Sequence, residues 1–250
     1  MPTALIIQAR TGSTRLPQKM VLPFFDGKGI FEILLDRLMD ARLNVPIILA
    51  TTENQGDNIL VEITEKKGID VFRGSEENVL KRFIGAAEVF DVEKIIRVCA
   101  DNPFLDIAAL RFLIDEVSHS DTDYWGFAKK DGTPSIKTHY GFWAEGVKTE
   151  ALRKVSDLTR EKLYLEHVTN YVYSNPALFS IFLQPIQQEV QALNIRLTID
   201  TLEDFKIAQE VYLKAEEKQI PLESLSLSAF VSQNKKWLEA MNTEIISNQK

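Results

Sequence analysis

A chain of 250 residues, 45% hydrophobic and 26% charged, has the composition of a globular protein large enough to build its own core. Its net charge of −7 argues against nucleic acid or an anionic membrane as a partner. The single cysteine, Cys99, excludes an intramolecular disulfide and a cysteine-based zinc site; with no signal-peptide core and no apolar run near ~20 residues, a cytoplasmic protein is expected.

The apolar run Ala4 to Ile7 predicts a first buried strand. Directly after it, Ala9-Arg10-Thr11-Gly12-Ser13-Thr14-Arg15-Leu16-Pro17-Gln18-Lys19 gathers cations, hydroxyls and a glycine into one loop. Pro17 disfavours a helix there, and Gly12 lets the backbone approach a ligand. Turned inward, the amides and hydroxyls suit phosphate oxygens, while Arg10, Arg15 and Lys19 neutralise their charge. The spacing is not the Walker pattern. A basic, solvated surface loop is the competing reading. Its place at the carboxyl end of the first strand of an α/β sheet favours a ligand loop.

Helical spacing of apolar residues predicts a helix from Ile30 to about Ala41, then a strand over Val45–Ala50. A helix follows over Asp57–Lys67, closed by Gly68, and a short strand over Ile69–Phe72. This alternation implies an α/β fold with a mainly parallel central sheet. Ser75 reads as the N-cap of the next helix; alternatively Gly74 and Ser75 sit at the sheet's mouth and contact a base or ribose. Lys94–Ala100 is a fourth strand, ending in Asp101-Asn102-Pro103, and Asp106 starts a helix over Ile107–Val117.

Further along, a strand is expected over Asp121–Phe127, a polar turn over Lys129–Pro134 and an aromatic-rich strand over Thr138–Glu145. Helices follow over Thr149–Val155 and Lys162–Tyr173, then strands over Leu178–Leu183 and Asn194–Thr198. Helices over Leu202–Lys218 and Leu227–Met241 finish the pattern, and the polar tail beyond Asn242 is expected to fray. No linker or repeat divides the chain, so one domain over 1–250 is expected. It comprises a nucleotide half (about 1–118), an acceptor and oligomerisation elaboration (about 119–195) and C-terminal helices (about 201–241).

Asp101 and Asp200 each follow an apolar run and precede a helix, which in a parallel sheet brings them to one edge. Each alone could cap its helix, and Thr201 with Asp204 resembles a capping box. Beside a phosphate loop, two bare carboxylates would repel a triphosphate; a bound Mg²⁺ reverses that sign. The combination with the loop therefore favours a metal–nucleotide site.

These residues resemble the CMP-sugar synthetases, the KDO and acylneuraminate cytidylyltransferases, and most closely their SpsF-type spore coat polysaccharide branch. The landmarks come in the same order: the basic loop, Arg73-Gly74-Ser75, Arg97 through Asp101 with Pro103, Glu166-His167-Val168-Thr169, and Arg196-Leu197-Thr198-Ile199-Asp200-Thr201 with Asp204-Phe205. The resemblance runs over residues 4–216. It implies a Rossmann-like nucleotide-diphospho-sugar transferase sandwich and transfer of a nucleotidyl group, CTP favoured, to a sugar-like acceptor with release of pyrophosphate. It implies that Arg10, Ser13, Arg15 and Lys19 hold the triphosphate, that Gln8, Ala9, Gly12, Gly74, Ser75 and Arg97 frame the nucleotide, and that Asp101 and Asp200 bind Mg²⁺. Glu145, Glu166 and His167 would face the acceptor, with His167 either a general base or a helix-face histidine; Trp143, near the expected acceptor site, is either a core residue or a platform on which the acceptor sugar stacks. A homodimer is expected because members commonly dimerise. The chain departs from the branch at Trp143, where an acid is usual, at Asn102 and at Asn170, mostly on the acceptor side. Two alternatives stay open: a glycosyltransferase using a finished nucleotide-sugar, and a nucleotide-binding protein without turnover.

Overall fold

The computed structural model describes residues 2–248. Ala4 to Ile7 are all fully buried because β1 (Thr3–Gln8) lies inside a sheet with a core on each face. Side chains alternate along the strand, so Leu5 and Ile7 enter one core and Ala4 and Ile6 the other. α1 (Ile30–Asp40) returns on the first face, burying Ile30, Phe31, Leu34, Leu35 and Leu38. At about 1.5–3 kcal/mol per fully buried large apolar side chain, that stripe rather than helix propensity holds the helix.

β2 (Ile47–Thr52), α2 (Asn58–Lys66) and β3 (Asp70–Gly74) extend the parallel sheet to one side of β1. α3 (Val79–Val89) then crosses the opposite face, and β4 (Lys94–Cys99) pairs in parallel with β1 on its other side. Strand order therefore reverses at β1, with β2 on one side and β4 on the other; α/β sheets bind ligands outside the carboxyl ends of the strands at such a switch point.

After α4 (Ile107–His119), β5 (Tyr124–Ala128) and β6 (Glu145–Lys148) continue the sheet, with β6 antiparallel to both β4 and β5. α5 (Thr149–Leu158), α6 (Lys162–Glu166) and α7 (Asn170–Ser174) lead to β7 (Ile181–Pro185), which pairs in parallel with β5. The order is β3-β2-β1-β4-β6-β5-β7. α8 (Gln188–Gln191), α9 (Leu202–Glu217), α10 (Ser224–Ser232) and α11 (Lys235–Ser247) complete the fold. The fold is thus a Rossmann-like α/β sandwich around a mainly parallel sheet. Among the described residues, no helix is long and apolar enough to cross a membrane.

Several elements differ from expectation. α3 is capped by Asn78, whose side chain accepts the Lys81 N–H, while Ser75 Oγ accepts the Asn78 N–H one turn earlier. Of the stretch Thr138–Glu145, Glu145 alone enters a strand, as the first residue of β6. Gly141 has φ +73°, and its Cα lies against the backbone of Leu197 and Thr198, so the chain there cannot stay in a ladder. The segment Asn194–Thr198 pairs with no named strand; its Leu197 and Thr198 N–H groups bond the His139 carbonyl. The expected helix over Lys162–Tyr173 breaks at His167–Thr169, where Val168 and Thr169 turn into the core. The expected helix over Leu227–Met241 is two helices divided at Gln233–Asn234, with Asn234 capping α11. α11 continues to Ser247, past the point where fraying was expected; Gln249 and Lys250 of that tail lie outside the described residues.

Candidate active site

The basic loop leaves β1 at the switch point and is pinned from below by a buried acid. Asp57 Oδ1 accepts the Thr11 N–H and the Thr11 hydroxyl, both at 2.7 Å, and its Oδ2 accepts the Thr52 hydroxyl. Asp57 is buried at the carboxyl end of β2. Burial alone would raise its pKa, but the hydrogen bonds from Thr52 and Thr11 hold it below the usual carboxylate value. Leu16 and Met20 anchor the far limb of the loop in the core. Gly12 lies under Glu76, where an added Cβ would stand 3.2 Å from Oε1. Glu76 reaches over the loop to Arg10 at 3.4 Å and accepts from Asn54 at 2.5 Å.

Lys19 points inward and is nearly buried. Its ammonium donates to Asp101 Oδ2 at 3.0 Å and to the Ile199 carbonyl at 2.5 Å, and lies 3.8 Å from Asp200 Oδ1. The two expected metal-binding aspartates therefore converge, with a cation between them. Asp200 arrives by a route the sequence did not suggest: it ends an irregular segment outside the sheet, tied by Leu197, Thr198 and Ile199 N–H groups to the His139 and Asp101 carbonyls, not a strand. It is held by Arg15 Nη2 at 2.9 Å and Arg196 Nη2 at 3.0 Å. Arg196, itself buried, grips Asp204 through Nε at 2.6 Å and Nη2 at 2.8 Å. Asp204 Oδ2 accepts the N–H groups of Asp200 and Thr201, and Thr201 Oγ1 accepts the Asp204 N–H, completing the capping box of α9. Although burial opposes ionisation, Arg196 and the backbone N–H groups keep the Asp204 pKa below the usual range.

Around these charges are buried polar atoms that no described residue satisfies: Arg82 Nε and Nη2, Asn102 Oδ1 and Thr198 Oγ1. Arg82 Nη1 donates to the Ser75 carbonyl at 2.6 Å, fixing the Gly74–Ser75 turn. Burial and the neighbouring Arg10 lower the Arg82 pKa to about 10. Such orphaned groups at a ligand edge are places where water or substrate completes the bonding. Among the described residues, no group of three or more His, Cys, Asp or Glu converges to hold a metal unaided.

Gln8 and Arg97 line the floor between β1 and β4. Gln8 Oε1 accepts from Arg97 Nε at 3.2 Å and Nη2 at 3.0 Å, and Arg97 Nη1 pairs with Glu145 Oε2 at 2.5 Å. Glu145 also accepts from Tyr124 at 2.5 Å and from Thr169 at 3.1 Å. Glu145 is 1% exposed, so the structure puts it in a buried ion-pair network and not on an open acceptor surface. Trp143 joins an aromatic cluster, stacked on Phe127 at 5.8 Å and edge-on to Tyr140 and Phe142, and borders a groove of ≈ 320 Å³ with Phe112 and Gln184. Glu166 and His167 are exposed at the end of α6. The expected acceptor residues are thus dispersed, whereas Arg10, Arg15, Lys19, Asp101 and Asp200 share the switch-point edge. A larger cavity, ≈ 550 Å³, opens at the opposite edge, where Lys148 is already engaged by Asp121 at 2.7 Å.

Asp57, Arg196, Asp204 and Arg82 were not singled out as site residues from sequence. Asp57 had a signal: like Asp101, it closely follows a buried strand, and Thr51-Thr52 precede it.

A model of the family described as cytidylyltransferase matches residues 4–236. An uncharacterized protein of Methanocaldococcus jannaschii is 38% identical over 82% of this chain and 81% of its own length. The spore coat polysaccharide biosynthesis protein SpsF of Bacillus subtilis is 35% identical over 85% of this chain and 87% of its own length. Among solved structures, a cytidylyltransferase from Leptospira borgpetersenii serovar Hardjo-bovis superposes with TM-score 0.80 at 28% identity, covering 100% of this chain and 98% of that one. A CMP:2-keto-3-deoxy-manno-octonic acid synthetase complexed with CTP shares the fold, with TM-score 0.64 at 12% identity over 87% of this chain and 100% of that one. The chain belongs to the cytidylyltransferase family of nucleotidyltransferases.

Proposed function

We propose that the protein transfers CMP from CTP to a sugar-like acceptor in an Mg²⁺-dependent reaction that releases pyrophosphate for glycan precursor synthesis. The observation that carries this reading is the seat of Lys19 between Asp101 and Asp200, beside Arg15, at the switch point of the sheet. Once Lys19 and Arg15 turn from the aspartates to the phosphates, the two carboxylates would offer hard oxygen ligands, but too few to complete a metal shell alone. That fits Mg²⁺, which takes one or two carboxylates together with substrate phosphates and waters. When bound, Mg²⁺ would supply positive charge to the phosphates, replacing at the aspartates the charge of Lys19 and Arg15.

Arg10, Arg15 and Lys19 hold the triphosphate and stabilise the charge that grows on the leaving pyrophosphate. Asp57, by pinning Thr11, sets the course of the loop that orients the triphosphate. An acceptor hydroxyl oxygen attacks the α-phosphorus in line; the bond from the α-phosphorus to the oxygen bridging it to the β-phosphorus breaks, that oxygen leaves with the pyrophosphate, and the hydroxyl proton leaves to solvent or a nearby base. With no covalent enzyme intermediate required, positioning and electrostatics carry the rate. The SpsF relative, a spore coat polysaccharide biosynthesis protein, points to a surface-glycan sugar or sugar-like acid as acceptor.

The test is pyrophosphate release from CTP and Mg²⁺ across a panel of sugars and sugar acids. Release with at least one acceptor, abolished by Asp101→Asn, is expected. Nucleoside diphosphate as the product, or full turnover by Asp101→Asn, would overturn the assignment.

A further inference from the structure

The site is tied to the far end of the chain. Thr201 Oγ1 donates to Glu244 Oε2 of α11 at 2.7 Å while accepting the Asp204 N–H at 3.1 Å. Asn248, the C-cap of α11, donates through Nδ2 to the Glu244 carbonyl at 3.0 Å and to Glu244 Oε2 at 3.3 Å. Asn248 Oδ1 accepts from Arg15 Nη1 at 3.5 Å, and Arg15 Nη2 closes the circuit on Asp200 Oδ1 at 2.9 Å. A ring of contacts thus runs Arg15, Asp200, Thr201, Glu244, Asn248 and back to Arg15.

The chemistry of the ring is directional. A threonine hydroxyl has one proton. The hydroxyl donates it to Glu244, which leaves the Thr201 oxygen as acceptor for the Asp204 N–H. The Asp204 carboxylate in turn holds the backbone N–H groups of Asp200 and Thr201, at 2.9 and 3.0 Å. Glu244 therefore biases the cap that presents Asp200. Asn248 limits the positions open to Arg15, whose side chain is 51% exposed, and so reduces the freedom it loses on gripping a ligand.

α11 has its own seat. Trp237 and Met241 are buried in the core, Trp237 Nε1 donates to Glu210 of α9 at 3.0 Å, and Asn194 donates to Asn242 at 2.8 Å. The last turn is consequently presented to the site by a helix anchored elsewhere. The family match ends at residue 236, so Glu244 and Asn248 lie beyond it.

We infer that α11 is a clasp on the triphosphate site, with Glu244 and Asn248 as positioning residues for Asp200 and Arg15. The inference rests on the proposed reading of the site for its ligand, a magnesium triphosphate, but not for its geometry. Two readouts test it on the full chain, on Glu244→Ala, on Glu244→Gln and on a chain ending at Asn242, which keeps Trp237 and Met241.

The first readout is amide hydrogen exchange without ligand. Faster exchange at Asp200 to Phe205 and in the basic loop of the shortened chain, with β1 and β4 unchanged, is expected. Unchanged exchange in those segments overturns the clasp. The second is calorimetric titration with CTP and Mg²⁺. Glu244→Ala and the shortened chain should bind about fivefold more weakly, as expected for partners in one hydrogen-bond network. Glu244→Gln, whose amide oxygen still accepts the Thr201 hydroxyl, should bind nearly as well as the full chain. Full affinity in all variants overturns the clasp. If the full chain binds no triphosphate, the proposed function falls, and the exchange experiment alone decides the clasp.

Discussion

Asp57→Asn is a sharp probe of how the loop is held. The carboxylate accepts three hydrogen bonds in a buried position, two at 2.7 Å from Thr11 and one from Thr52. An asparagine can keep the Thr11 bonds on its remaining oxygen, while the Thr52 hydroxyl must rotate away from the new NH₂. Hydrogen bonds to a charged group are worth about 1 kcal/mol more each than neutral ones. Two bonds weakened in this way and one lost outright, partly offset by no longer burying a charge, leave a net destabilisation of about 2 kcal/mol. For a chain of this size, that lowers the melting temperature by about 4–8 °C. The pH dependence has a definite sign. The Asp57 pKa lies below its ordinary 3.8, so its stabilisation is complete above that value and is lost as pH falls through the folded-state pKa. Melting curves of both proteins should be parallel near neutrality and converge in acid, below pH 3.8. Melting temperatures within about 1 °C of each other at neutral pH would refute the assignment of Asp57 as the anchor.

Three further substitutions separate the parts of the site. Lys19→Ala should lower kcat/KM for CTP by about 10²–10³-fold, the scale of removing one charge-stabilising group, as measured by pyrophosphate release. Glu145→Gln strands the buried Arg97 charge and should cost about 3–5 kcal/mol in denaturant unfolding; unchanged stability with a raised acceptor KM would instead put Glu145 on the acceptor surface. Arg82→Met removes a buried cation whose Nε and Nη2 have no described partner, so stability should change by less than about 1 kcal/mol. CTP affinity should nevertheless fall, because the Ser75 carbonyl loses its tether.

The switch-point edge was legible because its signals are local. A buried strand, a loop carrying Arg10, Arg15 and Lys19, and Asp101 directly after β4 are each contained in a short stretch, and the α/β topology alone brings them to one edge. Asp200 was found for a partly wrong reason: it does converge on Lys19, but it is placed by Arg196, Arg15 and Asp204 and not by a sheet strand. The surroundings of Glu145 were less legible because their pairings are long-range. Arg97 meets Glu145 across 48 positions, and Tyr124 and Thr169 complete the same carboxylate; no periodicity encodes that. The break at His167–Thr169 has the same origin, since burying Val168 and bonding Thr169 to Glu145 outweighs continuing a helix. The tie from Arg15 to Asn248 spans 233 positions, beyond the reach of any local pattern.

Thermal unfolding with CTP, UTP, GTP and ATP, each with and without Mg²⁺, tests the central claim most directly. A ligand at about 100 times its dissociation constant stabilises by about 2.7 kcal/mol, a shift of about 5–10 °C for a chain of this size. Such a shift is expected for CTP in the presence of Mg²⁺, and its Mg²⁺-dependent part is expected to vanish in Asp101→Asn and Asp200→Asn. Equal stabilisation by all four nucleotides, or a CTP shift indifferent to Mg²⁺ and to both substitutions, would contradict it.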